Sequence, residues 1–114
     1  MAKRPHILNL RKILRNSAHC VVAYDTHARK VIGFINCISD GILTAYIPLL
    51  EVLPEYQHRG IATKLMERML EITTRYYMTD LNCDAALVPF YEKLGMKKGT
   101  AMMRRNYSQQ SGQT

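Results

Sequence analysis

Tryptophan is absent from this 114-residue chain, and phenylalanine occurs only twice. No apolar run approaches the roughly 20 residues that a membrane-spanning helix requires, so the sequence predicts no membrane span. The N-terminal stretch MAKRPHILNLRK carries charges but no apolar core followed by small residues, which argues against a secretory signal. Together with a hydrophobic content of 47%, these absences predict a globular chain, which we expect in the cytoplasm.

Cysteine is scarce as well, and its three positions, Cys20, Cys37 and Cys83, are widely spaced. Their odd number, and the lack of a CxxC motif or of neighbouring histidines, argue against a disulfide framework and against a metal site. We therefore predict three buried thiols in a reducing compartment.

Acidic residues number only 9 against 16 lysines and arginines, which gives a net charge of +7. Such an excess attracts polyanions, either nucleic acid or a multiply phosphorylated cofactor. The basic clusters mostly lack the interleaved aromatic residues that stack on nucleic-acid bases, so a basic nucleic-acid-binding module is only a second alternative. The length allows one domain, which we assign to residues 1–107, followed by a flexible polar tail at 108–114.

Hydrophobic periodicity and turn residues divide the chain into eight elements. In order, the pattern predicts a helix at 7–16, strands at 20–24 and 31–38 forming a hairpin, a long strand at 42–53, a helix at 60–75, a strand at 76–81, a helix beginning between 84 and 88 and ending at 95, and a last strand at 100–107. The strand, helix and strand between 42 and 81 form a crossover unit, which predicts that these two strands lie parallel. Pro48 cannot donate to a strand ladder, so it indicates an edge, a bulge or a local break within the long strand.

The stretch PEYQHRGIA, residues 54–62, connects that strand to the following helix. The N-terminus of a helix presents backbone N–H groups without intrahelical partners and a partial positive charge, a combination that binds phosphate. Gly60 lets an anion approach the backbone closely, Ala62 is small, and His58 and Arg59 add donors. An ordinary connection between strand and helix is the alternative that the loop alone leaves open.

Two motifs together resemble the GCN5-related N-acetyltransferases, the GNAT family. The run V-x-P-x-YQ-x-x-G-x-A, residues 52–62, is similar to the family's cofactor motif, Q/R-x-x-G-x-G/A after a strand. The run FYEKLGM, residues 90–96, resembles the family's second signature about 30 residues downstream. The resemblance covers residues 18–107 and implies an α/β (α+β) acyl-CoA N-acyltransferase fold, with a mixed, mostly antiparallel sheet flanked by helices.

The resemblance also implies a donor site for acetyl-CoA. The loop amides from His58 to Thr63 would hold its pyrophosphate, and the strand Leu50 to Val52 would run beside its pantetheine arm, with one amide binding the thioester carbonyl. The cofactor-binding residues that it implies are Leu50, Val52, Gln57, His58, Arg59, Gly60, Ile61, Ala62 and Thr63. Tyr91 matches the tyrosine that protonates the leaving thiolate, although a tyrosine packing on the core is the alternative.

The implied reaction is transfer of an acetyl group to a primary amine of a small molecule or peptide, by direct attack in a ternary complex. A covalent intermediate on Cys83 is a much weaker hypothesis. Thr79 stands where some members carry a glutamate base. The candidate bases are then Glu51, which lies on the strand beside the cofactor, and Asp80, Asp84 and His58, unless the amine arrives neutral and needs no base. A non-catalytic acyl-CoA-binding domain is therefore the main alternative.

Two further positions depart from the family pattern. Asp84 stands where many members carry an asparagine that contacts the cofactor, and we expect it to cap the following helix. One short helix precedes the hairpin, where members usually begin with a strand and one or two helices. This implies an open acceptor site or a homodimer in which a second subunit covers the uncovered sheet edge.

Overall fold

A computed structural model of the chain describes residues 7–112, and most of the charged N-terminal stretch considered above lies outside them. The chain divides into two compact units, which are described separately. One comprises residues 16–81, and the other comprises the described residues up to Arg15 together with those from Asn82 onward. No helix within residues 7–112 is long and apolar enough to cross a bilayer.

The helices and strands follow the order that periodicity predicts up to the last element. They are α1 (Ile7–Arg15), β1 (His19–Asp25), β2 (Lys30–Ser39), β3 (Thr44–Tyr46), β4 (Leu50–Val52), α2 (Ile61–Thr73), β5 (Met78–Asp80) and α3 (Val88–Glu92). Short 3-10 turns lie at Pro54–Tyr56, Ala85–Leu87 and Tyr107–Gln109. The first helix, the hairpin and the long helix are confirmed.

The sheet of the 16–81 unit is mixed and mostly antiparallel, as the family resemblance implies. β2 lies at its centre and pairs antiparallel with β1, β3 and β4. β3 and β5 pair in parallel, from Thr44 opposite Met78 to Tyr46 opposite Asp80. The crossover prediction is therefore confirmed, since α2 connects the segment that contains β3 and β4 to a parallel strand.

The prediction of one continuous strand over residues 42–53 is wrong, because the chain changes partner around Pro48. Before the proline, the Ile47 N–H donates to the Asp80 carbonyl at 2.9 Å, on the β5 side. After it, the Leu49 N–H donates to the Asn36 side-chain oxygen at 3.1 Å, and the Leu49 carbonyl accepts from the Asn36 N–H at 3.2 Å. Pro48 has no N–H to donate, so it fits the one position where neither ladder continues.

The helix α2 contacts β1, β2 and β4, and its buried face includes the fully buried Met66 and Met69. Gly33 on β2 allows this close packing. A Cβ placed on Gly33 would lie 3.0 Å from the Glu51 carbonyl oxygen and 3.3 Å from both Leu65 Cδ1 and Val52 Cγ2. The glycine thus fixes how closely α2 and β4 approach β2.

Replacement of Gly33 by alanine is expected to lower the free energy of unfolding by about 1–3 kcal/mol, because overpacking against a backbone oxygen forces a shift. Urea denaturation followed by circular dichroism measures the change. Gly99→Ala is the matched control, since a Cβ there would meet no atom within 4 Å. Equal urea midpoints for the two variants would contradict the close approach.

The C-terminal part of the chain differs from its prediction in two ways. The strand expected at 100–107 is wrong: residues 97–106 form no regular element, and Met102 is 94% exposed. A strand needs a hydrogen-bonding neighbour, and within residues 7–112 none pairs with this segment. The regular helix does begin at Val88, with Pro89 in its first turn, but Asp84 makes no side-chain capping hydrogen bond to the 3-10 turn that follows it.

The three cysteines are free thiols in three different environments. Cys37 is buried and Cys83 is half-buried, but Cys20 is exposed, so the prediction of three buried thiols is wrong at this position. Side chains alternate between the two faces along a strand, and Cys20 shares the exposed face of β1 with Val22 and Tyr24. Alternation of β1 residues thus decides the exposure of this thiol.

Candidate functional site

The strand β4 has a hydrogen-bonding neighbour on one side only. Among the described strands it pairs with β2 alone, whereas the preceding strand β3 pairs with β5. The Leu53 N–H donates to the Ile32 carbonyl of β2 at 2.8 Å. Because successive N–H groups alternate between the two edges of a strand, those of Leu50 and Val52 face the opposite edge. This edge begins after Ile47, where the chain leaves the parallel strand β5.

The side chains of β4 separate the two faces of the sheet. Val52 Cγ2 and Leu65 Cδ1 lie equally close to Gly33, so Val52 and its same-face neighbour Leu50 point toward α2. Glu51 therefore projects from the face opposite α2, and it is half-buried there. The strand thus presents backbone amides at its edge and a carboxylate on the far face.

The loop after β4 is held by two side chains of its own. Gln57 donates its amide Nε2 to the Val52 carbonyl at 3.1 Å, which turns the loop back onto the end of the strand. Arg59 lies over the Tyr56 ring, 5.1 Å from its centroid, in a cation–π arrangement. The 3-10 turn that contains Tyr56 thus anchors the residues that lead into α2.

Tyr56 also links this loop to the β1–β2 hairpin, because its hydroxyl donates to a carboxylate oxygen of Asp25. The other Asp25 oxygen accepts from the His27 and Ala28 N–H groups at 2.9 and 3.1 Å. The Tyr56 hydroxyl, followed by the Ala28 N–H, holds the pKa of Asp25 below its usual value, and the same contact raises the pKa of Tyr56. One carboxylate therefore closes the hairpin turn and fixes the loop.

Tyr56→Phe is expected to raise the pKa of Asp25 toward its ordinary value, because the largest cause of the depression is removed. A depressed folded-state pKa stabilises the fold above the ordinary carboxyl pKa, and this contribution is lost as the pH falls through the folded value. The variant should therefore be less stable than the wild type at neutral pH, with the difference vanishing well below about pH 4. Carboxyl NMR titration and urea denaturation at pH 7 and pH 3 measure both effects. An unchanged Asp25 titration would refute the linkage, and Tyr24→Phe is the control.

The junction between loop and helix contains two left-handed residues. His58 has φ 64° and Gly60, the N-cap of α2, has φ 82°. Positive φ is uncommon for a residue other than glycine and marks strain that often accompanies binding sites. A Cβ on Gly60 would meet no atom within 4 Å, so the glycine faces open space. The backbone of Gly60 is therefore exposed at the surface, with no side chain to cover it.

The start of α2 provides donors for an anion. The first helical bond runs from the Lys64 N–H to the Gly60 carbonyl at 3.1 Å, so the N–H groups of Ile61, Ala62 and Thr63 precede it and point out of the helix end. The helix dipole adds partial positive charge there, and Arg59 adds a full one. These groups can hold a phosphate without any rearrangement of the helix.

Tyr91 lies in the other unit, on α3, where it is 6% exposed. Its ring packs edge-to-face against Phe90, with centroids 4.9 Å apart and planes at 80°. Burial, with a smaller contribution from Cys83, raises the pKa of the Tyr91 phenol. The side chain is thus a protonated phenol throughout the neutral range.

The structure brings the predicted residues from Leu50 to Thr63 together on one strand, one loop and one helix end. Sequence reasoning missed the close approach at Gly33 and the anchor between Asp25 and Tyr56. Neither has a local signature, since the contacting residues lie 18 and 31 positions apart along the chain. The only sequence feature that pointed to the contact between Asp25 and Tyr56 was the position of Tyr56 beside the motif residue Gln57.

Comparison with known proteins agrees with this architecture. The family pattern of the acetyltransferase (GNAT) domain matches residues 16–98. A structure from Deinococcus radiodurans R1, assigned as an acetyltransferase, is 44% identical, with TM-score 0.91, covering 98% of this chain and 78% of that one. A GNAT family acetyltransferase from Streptococcus pneumoniae TIGR4 is 28% identical, with TM-score 0.75, covering 90% and 81%.

The mixed sheet, the strand β4 that pairs on one side only among the described strands, and the following helix with a glycine N-cap together match the acyltransferase fold. The chain belongs to the GNAT acetyltransferase family. Glucosamine-6-phosphate N-acetyltransferase from Arabidopsis thaliana shares the fold at TM-score 0.72 with 15% identity, covering 87% of this chain and 75% of that one. A comparison with curated proteins finds no match.

Proposed function

We propose that this protein transfers an acetyl group from acetyl-CoA to a primary amine. The observation that carries the proposal is the edge of β4 that pairs with no other described strand. A loop held by Gln57 and Tyr56 connects it to the N-terminus of α2, where the first N–H groups have no intrahelical partner. These features supply two kinds of donor in succession, strand amides and then helix-end amides. A thioester with an amide-bearing arm and a pyrophosphate needs this order of contacts.

The residues present fit acetyl-CoA as the acetyl donor. The outward N–H groups of Leu50 and Val52 would pair with the amide-bearing arm as a neighbouring strand does, and one of them would stabilise negative charge on the carbonyl oxygen. The open space beside Gly60 would admit the pyrophosphate, with Arg59 as an added cation. Acetyl-CoA supplies the activated acetyl group, and the chain's own groups orient it.

Proton transfers are assigned to two side chains. Glu51 would accept a proton from the attacking ammonium or amine, directly or through a water, since it is a half-buried carboxylate on the strand that binds the donor. Tyr91 would give its proton to the departing thiolate, a role that rests on its place in the FYEKLGM motif and on its burial. The ordinary pKa of a phenol lies about two units above that of a thiol. Burial raises the pKa of Tyr91 further, so the phenol would keep its proton until the thiolate forms beside it.

The test is a binding and turnover experiment with the purified chain. We expect acetyl-CoA to bind by titration calorimetry, and free thiol to appear when a polyamine, an amino acid, a peptide with a free N-terminus or a lysine peptide is added. Tight binding without thiol release from any amine would favour the non-catalytic acyl-CoA-binding alternative. Failure to bind acetyl-CoA would overturn the proposal. The homodimer stays a prediction, which sedimentation at micromolar concentration tests.

A further inference from the structure

The Tyr56 side chain lies between the β1–β2 hairpin and the loop that leads into α2. Asp25 and Lys30 form the last register pair of the hairpin, and both reach this side chain. Asp25 accepts the Tyr56 hydroxyl, and the Lys30 Nζ lies 5.9 Å from the ring centroid. On the loop side, the guanidinium carbon of Arg59 lies 5.1 Å from the same centroid. One aromatic ring thus connects a hairpin turn to the cation that the proposed donor site assigns to phosphate.

The position of the Arg59 side chain depends on this ring, because the residue is otherwise exposed. A long exposed side chain samples many rotamers, and fixing it on a ligand costs conformational entropy. The face of an aromatic ring attracts a guanidinium group and so restricts it before a ligand binds. The ring can do this only while it stays in place, and the hydrogen bond from its hydroxyl to Asp25 fixes it at the end away from the backbone.

The backbone conformation of His58 depends on the same contacts. His58 has φ 64°, a left-handed conformation that costs free energy for a residue with a side chain and persists only where its surroundings impose it. On one side, Gln57 is fixed by the bond from its Nε2 to the Val52 carbonyl at 3.1 Å. On the other side, Arg59 is placed by the Tyr56 ring. Together the two contacts hold His58 in this conformation, which sets the direction of the backbone entering α2.

The carboxylate of Asp25 does more than close its own turn. Asp40, in the turn between β2 and β3, accepts three backbone N–H groups at residues 42–44, at 3.0, 2.9 and 3.1 Å. Those three contacts all stay within the turn. Asp25 uses one oxygen in the same way, but its other oxygen accepts from Tyr56, which is 31 positions away along the chain. This second oxygen connects the hairpin turn to the donor loop.

We propose that Asp25 is a positioning residue for the donor phosphates, acting through the Tyr56 ring to hold Arg59 in its binding position. The proposal rests on the proposed function, since it takes acetyl-CoA as the ligand of this loop. Asp25 makes no contact with the donor in this scheme, because Tyr56 transmits the constraint and Arg59 makes the contact. The effect is therefore on acetyl-CoA affinity and not on the chemistry at the thioester.

Titration calorimetry with acetyl-CoA at low and at high salt tests the proposal. At low salt we expect at least about fivefold weaker binding by Asp25→Ala and by Tyr56→Phe, because a charge-assisted contact to phosphate is weakened. Salt screens such a contact, so the difference between the wild type and the two variants should narrow at high salt. With an accepted amine, KM for acetyl-CoA should rise while kcat stays within about twofold of the wild type.

Two further variants separate positioning from a general loss of stability. Asp40→Ala is the matched control, because it removes a turn carboxylate that contacts its own turn. It should bind acetyl-CoA within about twofold of the wild type, as surface substitutions outside a site do. The double variant Asp25→Ala/Arg59→Ala should bind about as weakly as Arg59→Ala alone, because the two residues act in series.

Three results would overturn this proposal and leave the proposed transferase activity standing. The first is wild-type affinity in Tyr56→Phe, which keeps the ring and the turn contacts of Asp25 and removes only the link between them. The second is an equal loss of affinity in Asp40→Ala, and the third is additive losses in the double variant. Failure of the wild type to bind acetyl-CoA would instead overturn the proposed function, and this proposal with it.

Discussion

Gly60→Val is expected to weaken acetyl-CoA binding at least tenfold, because the new side chain would occupy the open space that the donor pyrophosphate requires. A hydrogen bond to a charged group contributes about 1.5–3 kcal/mol, and 1.4 kcal/mol corresponds to a factor of ten in affinity. Valine is also strained at φ 82°, so the loop amides would no longer keep their direction. Titration calorimetry with acetyl-CoA measures the loss.

Gly41→Val separates the loss of the site from general backbone strain. Gly41 has φ 80°, and a Cβ there would also meet no atom within 4 Å, but it lies in the turn between β2 and β3. Both variants should therefore lose similar stability in urea, while only Gly60→Val loses acetyl-CoA affinity. Full affinity in Gly60→Val, or equal losses in both, would show that the pyrophosphate does not lie at this helix end.

The second large effect is expected for Tyr91→Phe, which should lower kcat by about 10²–10⁴-fold, the usual contribution of a general acid. Phenylalanine keeps the ring that packs against Phe90, so folding and acetyl-CoA binding should change little. The raised pKa of Tyr91 also implies that the wild-type rate does not fall through ionisation of this phenol below about pH 10. Steady-state kinetics with an accepted amine, from pH 6 to pH 10, measure both.

The control for this variant is Tyr107→Phe, which removes a hydroxyl from an exposed tyrosine. Its kcat should equal that of the wild type. If Tyr91→Phe kept full kcat with an unchanged pH profile, the buried tyrosine would be a packing residue and the leaving thiolate would take its proton from water. A fall in melting temperature together with kcat would also assign Tyr91 to the core.

The strand-to-helix loop and the family could be predicted from the sequence because both depend on short local patterns. Gln57, Gly60 and Ala62 lie within six consecutive positions of one strand-to-helix connection, and FYEKLGM is a single continuous run. Local backbone preferences, such as a glycine at a left-handed N-cap, act at the same range. Pro48 likewise indicates an edge, a bulge or a local break by its chemistry alone, because it has no N–H to donate.

The partners of the broken strand could only come from the tertiary structure. Residues 42–53 read as one apolar strand, yet β3 pairs with β5 and β4 with β2, and only these partners create the open edge. The predicted strand at 100–107 failed for the related reason that strand propensity describes a fit to a neighbour, not an isolated backbone preference. Exposure of Cys20 was decided by which face of β1 is covered.

The sequence was enough to determine the fold family and the loop that leads from a strand to the glycine at the start of α2, because these follow from patterns a few residues long. Only the tertiary structure decided that the Tyr56 hydroxyl connects that loop to Asp25, and that Gly33 sets how closely α2 approaches β2. Each of these involves groups that are far apart in the chain and that meet only when the sheet and helix have packed.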